Sequence, residues 1–351
     1  MNRKMYQIVE LSETLMHAGS KATSDVTKIL SQMGVESLEI MTVSRSKNPI
    51  KKATRQLSYL NQWKRVCRKI EKESILFLQN PFYHNQLGRF TQLSNLKKNK
   101  NIKVISIVHD VNELRGSFDS KYFEIEFSQM LELADILIVH NERMKQWFIE
   151  HGVSSSKMFV LEIFDYLTDK SLKETSNFDK TITVAGNLSR NKSPYVYKLN
   201  QLLNLNVNLY GVNYELNSDT TNVVYKGAFP SNQIPNELNI GFGLVWDGDS
   251  LETCSGATGN YLRFNNPHKL SLYLASGIPV IVWEESAEAA FVLKHDVGFT
   301  VSSIYEITNH LNKMTLQDYL NYQKNAVNLG QKLQDGYFTQ KVVADAVKSL
   351  K

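Results

Sequence analysis

Short apolar runs of strand length recur through the first half of the chain: YQIVEL (6–11), SLEIMTV (37–43), SILFLQN (74–80), IKVISIVHDV (102–111), DILIVHN (135–141) and KMFVLEIF (157–164). Between them lie stretches whose apolar positions repeat every three or four residues: SDVTKILSQMGV (24–35), QLSYLNQWKRVCRKI (56–70), FSQMLELA (127–134) and ERMKQWFIEHGV (142–153). Apolar runs without alternation are strands buried on both faces, and the intervening period marks amphipathic helices. Together they predict a parallel sheet covered by helices on both sides.

The polar segment DYLTDKSLKETSNFDK (165–180) interrupts this rhythm and reads as a linker. A second series follows, with TITVAGN (181–187), a helix near VYKLNQLL (196–203), VNLYGV (207–212), NVVYKGAF (222–229) and IGFGLVW (240–246). Then come NNPHKLSLYLASGIPVIVWEE (265–285) and two closing helices after about Leu316. The pattern predicts an α/β chain of two Rossmann-like domains, an N-terminal one over 1–168 and a C-terminal one over 180–335. A last helix over 336–351 is expected to pack back toward the first domain. The two sheets would face an interdomain cleft, since ligands in such folds sit beyond the carboxyl ends of the strands.

The 351 residues, 42% of them apolar, suffice for two cores. No apolar run approaches the ~20 residues of a membrane span. The start, MNRKMYQIVEL, has no signal-peptide pattern, and Cys67 and Cys254 show no pairing or metal spacing. A reducing cytoplasm is therefore expected. The net charge of +5 is unevenly distributed, with ten basic residues and one acid, Glu71, between Arg45 and Lys72. This basic 45–72 segment is either a solvated helix face or a patch for an anionic membrane surface or acidic partner. No nucleic-acid-binding motif accompanies it.

The loops after the first strand of each half lack G-x-G-x-x-G, which argues against a nicotinamide dehydrogenase. VAGNLSRNKSP (184–194) instead offers Gly186 for a turn, Asn187 and Ser189 as donors, and Arg190 and Lys192 as cations before a proline-initiated helix. Such a loop suits a phosphate. In NNPHK, Lys269 stands in the first turn of a helix, where the positive pole disfavours a cation unless an anion is near. With Asn266, His268 and the N–H groups of the helix start, the segment resembles a diphosphate cradle. Arg190 and Lys269 are expected to meet around one pyrophosphate.

Asp247 and Asp249 have a D-x-D spacing that could hold a metal, but the spacing is common and no metal site is assigned. His109 and Asp110 end a strand facing the cleft. Asp110 is a candidate general base, and Arg115 a candidate sugar or anion contact. QNPFYHN (79–85) suits sugar stacking, Glu284 and Glu285 could accept from ribose hydroxyls, and Ser286 could cap the next helix.

With VAGNLSR, GFGLVWDGD, NNPHKLSLYLASGIPVIVWEE and the HDV strand end in hand, the chain resembles GT-B glycosyltransferases. It is similar in particular to the glucosyltransferase 3-like and beta-1,6-galactofuranosyltransferase-like enzymes, which include glucosyltransferases of serine-rich repeat adhesins. The resemblance implies UDP held by the second domain, with Arg190 and Lys269 on the diphosphate and Tyr225, Lys226 and Gly227 near the nucleoside; Asn187, Asn266, His268, Leu270, Ser271 and Glu284 complete the expected donor-binding set. Gly19 and Ser20 of HAGSKA would face the donor across the cleft. It further implies a UDP-sugar as donor substrate with no separate cofactor, and glucose transfer to a protein-linked N-acetylglucosamine by a homotetramer. The insert SLETCSGATGNYLRF (250–264) looks more like the galactofuranosyl branch, so galactofuranosyl transfer stays open. A non-catalytic subunit of another transferase is the remaining alternative.

Overall fold

The structure is a computed structural model and describes residues 3–12, 19–43, 46–116, 121–174, 178–215 and 222–350. The first domain begins with β1 (Met5–Ser12), α1 (Gly19–Gln32), β2 (Glu36–Thr42), α2 (Pro49–Lys69), β3 (Ile75–Asn80) and α3 (Arg89–Lys100). It continues through β4 (Lys103–Val108), α4 (Asn112–Arg115), α5 (Lys121–Leu133), β5 (Ile136–Val139), α6 (Glu142–Glu150) and β6 (Met158–Val160). All six strands run parallel in the order β2-β1-β3-β4-β5-β6.

The second domain opens with β7 (Ile182–Asn187), a 3₁₀ segment over Pro194–Gln201, β8 (Val207–Val212), β9 (Val223–Gly227), α7 (Ile234–Glu237) and β10 (Phe242–Val245). Next come α8 (Gly256–Tyr261), α9 (His268–Ala275), β11 (Val280–Trp283), α10 (Ala289–His295) and β12 (Gly298–Val301). The chain ends with α11 (Ile307–Lys313), α12 (Leu316–Gln334) and α13 (Tyr337–Ser349). This sheet is also parallel, in the order β12-β11-β10-β7-β8-β9. Each sheet thus reverses direction of growth beside its first strand, which opens a crevice at the strand ends. The expected α/β, GT-B arrangement is what the chain adopts.

Several local expectations need correction. Helix α1 starts at Gly19 rather than Ser24. Helix α3 is absent from the sequence-based expectation, because RFTQLSNLKKNK is mostly polar, with Phe90, Leu93 and Leu96 as its apolar residues and Arg89 buried beside them. The stretch near VYKLNQLL closes as a 3₁₀ turn after Pro194 rather than an α-helix. Ser286 does not cap α10, whose N-cap is Glu288. Conversely, Asn48 caps α2 by accepting from Ile50 N–H at 2.9 Å, and Thr315 and Asp318 close a capping box on α12.

One apolar cluster runs through both domains. It joins Val26 and Leu30 of α1, Phe77, Ile107 and Ile138 of the first sheet, Leu270 and Leu274 of α9, and Leu333, Phe338 and Val342 from the last two helices. Helix α13 lies against α1, β5 and β6. Its first N–H groups are accepted by Asp165, from Phe338 at 3.1 Å and Thr339 at 2.7 Å, while Lys341 pairs with Glu162 at 2.8 Å. An acidic side chain at a helix start satisfies otherwise orphaned donors and complements the helix dipole.

Candidate active site at the domain junction

Helix α9 sets the geometry of the second domain's side of the site. Gly243 of β10 lets it approach, since a Cβ there would lie 2.1 Å from the Tyr273 ring. Tyr273 then accepts from Ala185 N–H of β7 at 2.8 Å. This packs α9 against β10, whose hydrogen-bonded neighbour is β7, and leaves the helix start at the carboxyl end of β10. Lys269 crosses the end of β10, donating to Trp246 O at 2.8 Å and to Asp247 Oδ1 at 2.9 Å, with its side chain 17% exposed. The conflict of a cation in the first helical turn is therefore answered inside the chain, by the Asp247 carboxylate.

Arg190 follows β7. Its Nε donates to Glu215 at 2.6 Å and its guanidinium lies 4.0 Å from the centre of the Tyr197 ring. The side chain is half exposed. Asn187, the last residue of β7, accepts from Ser189 N–H at 3.1 Å and from Asn213 Nδ2 at 3.2 Å. The Tyr225 hydroxyl donates to Gly211 O at 2.8 Å, and its ring meets Tyr214 at 5.0 Å. Lys226 is exposed, Gly227 has φ +105°, and Glu284 is exposed just after β11. Asp247 and Asp249 do not converge, because Asp249 accepts from Ser255 while Asp247 holds Lys269.

The remaining residues expected in the diphosphate cradle lie at the junction or in the core. Asn266 is buried and fully engaged: Nδ2 donates to His140 O at 2.8 Å and Glu162 O at 3.0 Å, and Oδ1 accepts from Asn141 Nδ2 at 2.6 Å. Leu270 and Ser271 point into the core, so only their backbone could meet a ligand. His268 stacks on Tyr166 at 5.0 Å and has no partner at its buried Nε2 among the described residues. Gly19 and Ser20 are the first two residues of α1. His17 and Ala18 of the same loop lie outside the described residues.

Among the described residues, three histidines line this seam around Phe164. His109 stacks on it at 5.2 Å, His140 meets it edge-on at 5.0 Å, and His268 lies at 6.3 Å. Burial lowers all three, to about 4 for His109 and His140 and to about 3 for His268, where nearby Lys21 adds to the effect. A lowered imidazole pKa keeps the ring neutral below its ordinary titration range. Imidazole NMR should therefore show all three neutral at pH 5.5. A midpoint near the ordinary ~6.5 for any of them would contradict this packing.

Asp110 anchors the first domain's side. It accepts from Tyr83 OH at 2.7 Å, from Arg115 at 3.1 Å, and from Tyr261 OH of the second domain at 3.3 Å. Tyr261 also accepts from Val111 N–H at 3.0 Å. It reaches Asp110 because α8 packs tightly beside the end of β10: a Cβ at Gly259 would lie 3.0 Å from Asp247 O and 2.5 Å from the Cys254 carbonyl carbon. A short run of contacts thus links Lys269, Asp247, α8, Tyr261 and Asp110 across the seam. Sequence reasoning did not single out Tyr261, which lies in a glycine-rich stretch without periodicity, nor His140 and Asn141. Two polar residues ending the buried strand DILIVHN were the available signal for the latter pair.

Family models match both halves of the chain: the glucosyltransferase 3-like N-terminal domain over residues 5–163 and the C-terminal domain over 182–346. The chain is 32% identical over 355 residues to the beta-1,6-galactofuranosyltransferase WbbI of Escherichia coli K12, covering 99% of each protein. It is 26% identical to glucosyltransferase 3 of Streptococcus gordonii, covering 93% of each. Among solved structures, sucrose-phosphate synthase of Thermosynechococcus elongatus superposes with TM-score 0.62 over 99% of both chains, at 11% identity. HepE of Anabaena, determined with UDP and glucose, superposes with TM-score 0.61 at 11% identity, over 99% of this chain and 100% of that one. The chain belongs to the glucosyltransferase 3-like family and is a glycosyltransferase of GT-B architecture.

Proposed function

We propose that the protein transfers a hexose from a UDP-sugar to a hydroxyl of a glycan acceptor, without a metal ion. The observation that carries this reading is the run of contacts from Lys269 to Asp110, which joins a cation at a helix start to a carboxylate of the other domain. As the bond from the anomeric carbon to the diphosphate breaks, negative charge grows on the leaving group. Lys269, Arg190 and the N–H groups at the start of α9 absorb it. Asp247 and Glu215 hold the two cations in the free protein and yield them to the diphosphate. Asp110 takes the proton of the attacking hydroxyl, and the closed seam excludes water that would otherwise hydrolyse the donor.

Glucose is the donor the family resemblance favours, with N-acetylglucosamine on a serine-rich repeat adhesin as acceptor and a tetramer as the assembly. A galactofuranosyl donor is the second reading. It is favoured by the 32% identity to a galactofuranosyltransferase over nearly the whole chain and by the insert that delivers Tyr261. The two separate in a screen of UDP-sugars against an N-acetylglucosaminyl peptide and a galactose-terminated glycan. UDP release by the purified protein in EDTA tests the metal-free step, and complete loss of turnover on chelation would reject it. A non-catalytic role predicts no UDP-dependent rise in melting temperature, whereas the proposed function requires one.

A further inference from the structure

Helix α2 carries a surface that the transfer reaction does not use. Its inner face buries Tyr59, Trp63, Val66 and Cys67 against the first sheet. Its outer face and flank expose Lys51, Lys64, Arg65, Arg68 and Lys69, Lys52 is exposed in the first turn, and the helix has no acidic residue. Lys47 and Lys72 extend the row at either end, Arg45 lies outside the described residues, and the lone acid Glu71 is paired with Lys4 at 2.9 Å. At 1.5 Å per residue, 21 residues present this charge along about 30 Å.

Exposed apolar side chains accompany the cations. Ile50 is 73% exposed and Leu57 56%, and both lie on the same outward line as Asn61, Lys64 and Arg68 at helical spacing. Met41 and Val43 at the end of the edge strand β2, and Leu87 after β3, are exposed as well. Gln56 joins that last loop to α2, accepting from Leu87 N–H at 2.8 Å and donating to Asn85 O at 2.9 Å. Toward the other end, a groove of about 450 Å³ between α2 and α3 is lined by Lys64, Arg68, Gln92, Asn95, Asn99 and Lys100. This combination suits a phosphate-bearing headgroup among apolar chains.

We propose that the outer face of α2, with the groove it forms against α3, docks the first domain onto an anionic lipid surface. Charge complementarity argues for an anionic partner, and the apolar side chains argue for a bilayer over a nucleic acid. A single-stranded nucleic acid would want aromatic rings for its bases, whereas Tyr59 and Trp63 of this helix both point inward. Cations beside apolar groups on one helix face are what an interfacial helix presents, with stems and apolar groups at the headgroup boundary and charges on lipid phosphates. The Ile50 end of α2 follows the carboxyl end of β2, on the side where the strand ends meet the second domain. Docking would therefore bring the mouth of the cleft close to the surface.

The test is co-sedimentation of the full chain with two kinds of vesicle, phosphatidylcholine alone and phosphatidylcholine mixed with phosphatidylglycerol. Binding is expected to the mixed vesicles only, and to fall steeply with added salt. The triple variant K64E/R65E/R68E should weaken it on the order of a hundredfold. Leu57→Gln should also reduce binding, while leaving the α2 charges in place. Both variants alter exposed positions remote from Lys269 and Asp110, so transfer to a water-soluble acceptor should be unchanged and reports an intact fold. Equal binding to neutral vesicles, unchanged binding of the triple variant, or retention on heparin without partition onto phosphatidylglycerol would each overturn the proposal.

Discussion

Lys269→Ala should lower the rate of transfer on the order of a hundredfold, the effect of losing ~2.7 kcal/mol of stabilisation at the leaving diphosphate. The side chain is held across the end of β10 by Trp246 O and Asp247, so its position is fixed before any donor arrives. A cation already in place requires little reorganisation as charge develops, which is why its removal should depress kcat more than it raises KM. Asp247, left without its partner, would add repulsion toward the diphosphate. Arg190→Ala should cost less, about tenfold, because that side chain is half exposed and shares its charge with Glu215 in higher dielectric. Unchanged turnover in both variants, with circular dichroism matching the wild type, would remove the basis of the proposed function.

Asp110→Asn should reduce kcat by about a hundredfold or more while leaving the UDP-induced rise in melting temperature intact. The substitution keeps the shape of the side chain and an acceptor for Tyr83, but removes the negative charge and the capacity to take a proton. Arg115 then loses its counter-ion, an ion pair at 3.1 Å, without any change at the nucleotide side. A separation of this kind, with chemistry lost and donor binding kept, distinguishes a base from a residue that merely fastens Tyr261. If the variant keeps full activity, Asp110 is a latch between the domains and the proton leaves by another route.

Much of the fold was legible because strands buried on both faces leave continuous apolar runs, as in IKVISIV and IPVIVW. The helices that escaped notice, α3 above all, bury so few side chains that no period emerges. The loops proposed to hold the donor could be picked out as strand ends rich in cations and amides, which is a local property. What Asn266, Leu270 and Ser271 do with their side chains is not local. Asn266 faces His140, Asn141 and Glu162, more than a hundred positions earlier, and only the packing of one domain on the other decides its partners. The same holds for Lys269, whose anion was sought in a ligand although Asp247 stands 22 residues away along the chain.

The anchoring of α13 by Asp165 and Glu162 bears on how the protein can be taken apart. Phe338, Val342 and Val343 complete the wall over Val26 and Leu30, so the final helix is structurally part of the half to which it is not contiguous in sequence. Severing the polypeptide between the halves would give one fragment missing a wall and another trailing a greasy, unsupported tail. Neither piece would be a self-sufficient unit, and any swap of halves between relatives must exchange the tail along with the beginning.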